Sequence, residues 1–276
     1  MTLPISAYAT SLALDDDAVY LMAADAAFRL VEGAPANGIH LDLGIGPVLT
    51  STAFIFWADG AIWSAPKEGG DRRELAKLPH QPQYFVGSGD ALAWVDQSEQ
   101  GAYSIQTLDG KRPRTLLTSL GEIRALNMIG DAVYFVERPS AQSWRIGLTR
   151  STGAEPRYGS LHQGRAPSQL AGSDDIYYFD LDESAIIKVS ADLAGSERIR
   201  EVVCSPIHVS NRIYCGCVEG LFEVSKDTRQ PNILSSNPSG SITNVISNGK
   251  LVAWTVDLGP NQLAVETLSV AGEPNR

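Results

Sequence analysis

A chain of 276 residues with 43% hydrophobic and 20% charged residues has enough apolar material for a core and gives no compositional case for disorder. Its formal net charge is −10, and its 22 Lys and Arg are scattered rather than gathered into a stripe, which argues against nucleic acid or an anionic membrane surface as a partner. No apolar run approaches the roughly eighteen residues that span a bilayer, so no membrane insertion is expected.

The first stretch, MTLPISAYATSLALDDD, has no basic region ahead of its apolar residues, the first positive charge being Arg29, and no signal peptide is read in it. It offers a short apolar segment, 2–6, and then a strand over 9–14. From there one unit recurs. Its core is a short apolar and aromatic strand, often preceded by Asp, Asn or Gly and ending near an acid. In chain order it reads DAVYLMAAD (17–25), TAFIFWAD (52–59), DALAWVD (90–96), DAVYFVE (131–137), DDIYYFD (174–180), NRIYCGCVE (211–219) and GKLVAWTVD (249–257). Taking Val19, Ala53, Leu92, Val133, Ile176, Ile213 and Leu251 as equivalent gives spacings of 34, 39, 41, 43, 37 and 38 residues.

Each core is followed by a second strand, such as AIWSA, AYSIQTL, IIKVSA, LFEVS or LAVETLSV, with partial period-two alternation. Tight-turn signals come next, among them Asp109-Gly110 and Thr152-Gly153. An outer strand of the type HLDL, RELAKL, RTLLTSL or REVVCS closes the unit, and a crossing segment carrying Pro47, Pro82, Pro167 or Pro206 leads to the next. RELAKL alone has helical propensity, but its place in the repeat makes it a strand.

Four strands per unit at this period specify an all-β chain: a seven-bladed β-propeller of four-stranded antiparallel blades, in a single domain over 1–276. The blades fall near 7–44, 45–80, 81–121, 122–165, 166–205, 206–241 and 242–276. The last unit lacks a fourth strand, and segment 2–6 is expected to supply it and close the ring. A six-bladed ring or an open array is the alternative. A monomer is expected.

The stretches FWADGAIWSAPKEGG, AWVDQSEQGAYSIQTLDG and AWTVD resemble the YWTD-type repeats of low-density-lipoprotein-receptor propellers and related bacterial propellers, over nearly the whole chain. That resemblance implies a propeller and, for the receptors, six blades and an extracellular setting, whereas seven cores are counted here. The chain is not close to WD40 repeats, since none of its 4 histidines follows a glycine.

Asp25, Asp59, Asp96, Glu137, Asp180, Glu219 and Asp257 end the core strands, one per blade, at the loop to the third strand. They are expected on the face where the blade-to-blade crossings emerge. There they form either a docking surface for a cation or a basic partner, or a set of carboxylates each capping its own loop. His80, His162 and His208 fall in or after crossing segments and are the candidate catalytic groups of an enzyme working at the axial channel mouth; the alternative is an ordinary surface role.

DLDES (180–184) spaces oxygens as a calcium loop does but lacks the glycine and the distal glutamate, so no metal is assigned. No nucleophile elbow or phosphate loop occurs, and no cofactor is expected. Trp57, Trp63, Trp94, Trp144 and Trp254 are read as filling between blades.

Cys204, Cys215 and Cys217 are an odd, sparse set, read as small buried hydrophobes in a reducing compartment rather than as a disulfide framework. The location expected is therefore cytoplasmic, or periplasmic or secreted if a leader has been removed. The favoured function is a non-catalytic binding or scaffold protein that holds a protein or small ligand on one face. A lyase or hydrolase at the channel mouth and a carbohydrate-binding lectin are the alternatives.

Overall fold

The computed structural model describes residues 2–3, 9–16, 18–23, 26–31, 37–40, 44–50, 52–68, 70–78, 80–201, 204–217, 219–226, 229–236, 240–259 and 262–270. Among them every regular element is a strand, and the strands form seven separate antiparallel sheets. The N-terminal strand β1 is Thr2–Leu3. The first blade runs β2 (Ala9–Leu14), β3 (Val19–Ala23), β4 (Ala26–Leu30) and β5 (Asn37–His40). The second holds β6 (Gly44–Leu49), β7 (Ala53–Ala58), β8 (Ala61–Pro66) and β9 (Arg73–Lys77). The third holds β10 (Phe85–Ser88), β11 (Ala91–Gln97), β12 (Tyr103–Asp109) and β13 (Arg112–Ser119).

In the fourth, β14 (Glu122–Ile129), β15 (Ala132–Ser140) and β16 (Ser143–Arg150) are long, while the outermost strand is broken into β17 (Arg157–Tyr158) and β18 (His162–Gln163), both paired to β16. The fifth is β19 (Ala171–Gly172), β20 (Ile176–Asp180), β21 (Ala185–Val189) and β22 (Ser196–Glu201). The sixth is β23 (Ile207–Val209), β24 (Ile213–Cys217), β25 (Gly220–Val224) and β26 (Pro231–Ser236). The seventh is β27 (Ser241–Ser247), β28 (Leu251–Gly259) and β29 (Gln262–Ser269), with β1 pairing antiparallel to β29 through Thr2↔Ala264 and Leu3↔Leu263.

Seven blades are present, and the six-bladed alternative is set aside. The core strands read as unbroken apolar runs because each is covered on both faces. On β20, Ile176 and Tyr178 point into the seam with the fourth blade, while Tyr177 and Phe179 point into the seam with the sixth. Successive side chains of a strand face opposite ways, so a blade between two neighbours buries all of them. A hydrophobic cluster fills each of the seven seams, including one that joins Leu12, Val19, Leu21 and Leu30 of the first blade to Ala253, Leu263 and Val265 of the last. Trp57 and Trp94 share the seam between blades two and three, Trp144 lies between four and five, and Trp254 between six and seven.

Polar bonds between neighbouring blades, at and beside the inner strands, add direction to this non-directional packing. The Gln169 amide donates to the Ile207 carbonyl at 2.8 Å and accepts the Ile207 N–H at 3.1 Å, so one side chain satisfies both backbone groups across a seam. Asn127 reaches the Leu170 carbonyl at 3.2 Å. Between the seventh and first blades, Asn248 donates to the Asp15 carbonyl at 3.1 Å, and Lys250 lies 2.8 Å from Asp16.

Three sequence readings need correction. Cys204 and Cys215 are joined in a disulfide with Cα atoms 5.5 Å apart, and Cys217 is the free thiol. The crossing segment before β23 runs back beside β24, held by Ser205 N–H to Gly216 O and Gly216 N–H to Pro206 O, each at 3.0 Å. That pairing brings together two residues 11 apart, which spacing alone does not reveal. A disulfide of this kind favours an oxidising environment over the reducing, cytoplasmic one expected. Pro47 is not in a crossing loop but within inner strand β6, where the register steps from Ile45 to Val48; the extra residues there let a proline sit without breaking the ladder. The outer strand of the fifth blade is β22, which begins at Ser196, ahead of the REVVCS stretch.

Candidate functional site

The loops that join second to third strands share one end of the blades with the segments that cross to the next blade, and the acids of the core strands stand at that end. Asp25 lies outside the described residues. Asp59 takes a positive φ of 52° in the β7–β8 turn and pairs with Arg72 at 2.9 Å. Asp96 is on β11, and Glu137 on β15 is buried, one oxygen accepting the Ser119 hydroxyl and the other held by Arg145 at 2.6 Å. One Asp180 oxygen accepts the N–H groups of Asp182 and Glu183, both at 2.9 Å, and Asp257 accepts the Gly259 N–H at 2.9 Å. Glu219 is exposed in the β24–β25 turn. Five of these carboxylates, those of Asp59, Asp96, Glu137, Asp180 and Asp257, are engaged within their own blade or with the segment that leads into it, as acidic side chains are near turns.

The histidines stand on separate blades. His80, in the crossing to the third blade, places Nδ1 3.3 Å from an Asp96 oxygen, so one predicted histidine does meet one predicted acid. His162 is on the outermost strand of the fourth blade, in β18, away from the inner strands that line the axis; its ring stacks on Trp144 with centroids 4.4 Å apart, and burial lowers its pKa. Its place at the rim follows from the break in that strand, which hides it from a reading by repeat spacing.

His208 is on inner strand β23, with Nε2 2.9 Å from the Ser247 carbonyl on β27. A carbonyl only accepts, so Nε2 carries the proton. Burial pushes the pKa of His208 down from 6.5 to about 4, and the ring is neutral near neutral pH. Among the described residues no three His, Cys, Asp or Glu side chains group as a metal site.

A cleft of about 480 Å³ opens on this end between the fourth and fifth blades. Arg124, Arg138, Gln142, Gln163, Arg165 and Leu181 line it. Arg124 is brought there by a bulge: the register passes from Ile123↔Glu137 to Ala125↔Val136, leaving Arg124 as the extra residue of β14. A bulge re-aims a side chain and ends the regular alternation. The same step leaves Thr10 extra on β2 and Thr243 extra on β27, so the position recurs in the repeat and carries a charge in the fourth blade.

Glu122 joins the two inner arginines. One of its oxygens accepts an N–H of Arg124 at 2.9 Å and the other accepts one from Arg138 at 2.8 Å. This contact raises the pKa of the Arg124 guanidinium further. Arg138 also donates to the Ala141 carbonyl at 2.9 Å. Across the cleft the backbone N–H of Arg165 donates to Asp182 at 2.9 Å, and Gly164 N–H donates to the Gln142 carbonyl at 3.1 Å, which ties the crossing segment to the β15–β16 turn. Sequence reading passed over these arginines because it judged positive charge along the chain, where 124, 138 and 165 are far apart. The available signal was the repeat alignment, which sets Arg124 level with Thr10 and Thr243.

No family model and no curated protein matches the chain. Solved structures do. The chain is similar to an oligogalacturonate lyase in complex with manganese, with TM-score 0.69 and 10% identity over 90% of this chain and 83% of that one. It is similar to the computationally designed Ika8 protein, with TM-score 0.64 and 12% identity over 97% of each. It is similar as well to a chain of the nidogen/laminin complex, with TM-score 0.52 and 18% identity over 67% of this chain and 77% of that one. At such identities the likeness is one of fold, and function has to be argued from the site.

Proposed function

We propose that this propeller is a binding protein that takes its ligand or partner on the face where the blade-to-blade crossings emerge, at the cleft between the fourth and fifth blades. The observation that carries the reading is the convergence of Arg124, Arg138 and Arg165 on one concave surface, supported from behind by Glu122. Concave sites with a few converging polar groups are where ligands bind, and loops on a rigid scaffold supply them. The similar chain of the nidogen/laminin complex lends general support to a propeller as a protein-binding scaffold. The Cys204–Cys215 disulfide favours an extracellular or periplasmic setting for this activity.

Catalysis at the axial mouth is the second reading, favoured by the lyase among the similar structures. It asks for converging acid–base groups, and His80, His162 and His208 on three different blades support it less well than the arginine cleft supports binding. The carboxylates of Asp59, Asp96, Glu137, Asp180, Glu219 and Asp257 belong to the same proposed face and form its rim for a basic partner.

The test compares substitutions on the two ends of the blades. Arg138→Glu and Leu181→Asp change the crossing face, and Arg150→Glu changes the opposite one. Partners or ligands retained by the immobilised protein from its own compartment are expected to be lost with the first two and kept with the third. Retention lost only with Arg150→Glu, or untouched by all three, sinks the proposal.

A further inference from the structure

We infer that the cleft between the fourth and fifth blades recognises a small molecule by its carboxylate groups, an inference that rests on the crossing face being the binding face. At about 480 Å³ the cleft has the size of small-molecule sites, roughly 300 to 1,000 Å³, rather than that of a macromolecular groove. It also reverses the sign of its surroundings. On a chain with net charge −10, three guanidinium groups meet there against the carboxylates of Glu122 and Asp182.

The donor arithmetic favours an incoming anion. A guanidinium has five N–H donors in a planar fork, and Glu122 takes one from Arg124 and one from Arg138. Ala141 takes one more from Arg138. Both forks keep donors at the cleft, and both are already held in place by a carboxylate, so little side-chain freedom is lost when a ligand arrives. Arg165 faces them from the other wall with its side chain 75% exposed, its Nε 3.9 Å from Asp182. A planar fork matches a planar carboxylate through paired hydrogen bonds. All three cations of the lining are arginines, so the fork geometry sets the recognition, and two carboxylates beside them leave a small positive excess that suits a carboxylate better than a doubly charged phosphate. Gln142 and Gln163 add amides for hydroxyl or carbonyl groups of the ligand body, and Leu181 adds an apolar contact.

Titration calorimetry of the full chain at low salt, with glutarate, citrate and inorganic phosphate as separate probes, tests this. A carboxylate probe is expected to bind more tightly than phosphate and to weaken as salt rises. Arg138→Ala and Arg124→Ala are expected to raise its Kd about tenfold or more, the order set by a lost charged hydrogen bond. Arg138→Lys should recover little of that, because the fork is gone. Arg165→Ala, at an exposed position that cannot unfold the protein, should also weaken binding, and Arg150→Ala should leave it unchanged. Phosphate binding as tightly as the carboxylates, or carboxylate binding unaffected by Arg124→Ala and Arg138→Ala together, overturns the inference. If no probe binds while crossing-face substitutions still abolish partner retention, the carboxylate assignment falls and the crossing-face reading stands. If neither responds, both fall.

Discussion

The Nε2–H of His208, on the inner strand of the sixth blade, donates to the carbonyl of Ser247, on the inner strand of the seventh, at 2.9 Å. Burial holds this imidazole neutral, with its pKa moved from 6.5 to about 4. The unfolded chain takes up the proton near 6.5 and the folded chain only near 4, so between these values the unfolded state binds more protons. Stability is therefore lost as pH falls through that window, by about 1.4 kcal/mol per pH unit and up to about 3 kcal/mol in all. His162, shifted in the same direction by burial, adds to the loss. Urea midpoints should fall between pH 7.5 and 5, and less steeply in His208→Gln, which keeps an N–H donor but has no proton to gain. Equal pH slopes in the two proteins would contradict this account.

Glu137 is buried on β15 and its charge is balanced by Arg145 at 2.6 Å, whose guanidinium also lies over the Tyr158 ring at 3.7 Å. Breaking such a pair leaves an uncompensated buried charge, whereas replacing both members with apolar groups does not. Arg145→Ala should cost about 3 kcal/mol in chemical denaturation. The double variant Arg145→Leu/Glu137→Leu should recover most of it, and a double variant as unstable as the single one would show that the pair is not the cause.

The Cys204–Cys215 link closes a loop with a sequence separation of 11, which corresponds to about 3 kcal/mol of stabilisation on chain-entropy grounds. Cys204→Ser/Cys215→Ser should lower the denaturation midpoint accordingly. In a non-reducing digest a 204–215 linked peptide should appear, with Cys217 alone taking an alkylating label. A digest in which all three cysteines label without reductant would refute the link.

Strand β1 pairs with β29 through Thr2 and Leu3. If segment 2–6 closes the seventh blade, removing residues 1–6 should expose the outer edge of β29 and lower the thermal midpoint by several degrees, with faster exchange of β29 amides. Unchanged exchange along β29 would show that the edge needs no cover.

What the sequence determined by itself was the architecture. Seven apolar cores at intervals of 34 to 43 residues carry both the blade count and the inner strands, because a strand between two neighbouring blades must be apolar on both faces and leaves an unbroken run such as IYYF at 176–179. The acids at the strand ends were legible for the same reason, being part of the repeat. Tertiary structure alone decided the rest. Which cysteines pair depends on a crossing segment folding back beside β24, and His162 reaches the rim through an interruption of an outer strand. Arg124, Arg138 and Arg165 come to line one cleft through a one-residue bulge and the packing of two blades. These are non-local arrangements of residues whose local surroundings look ordinary, and spacing along the chain carries no signal of distances across it.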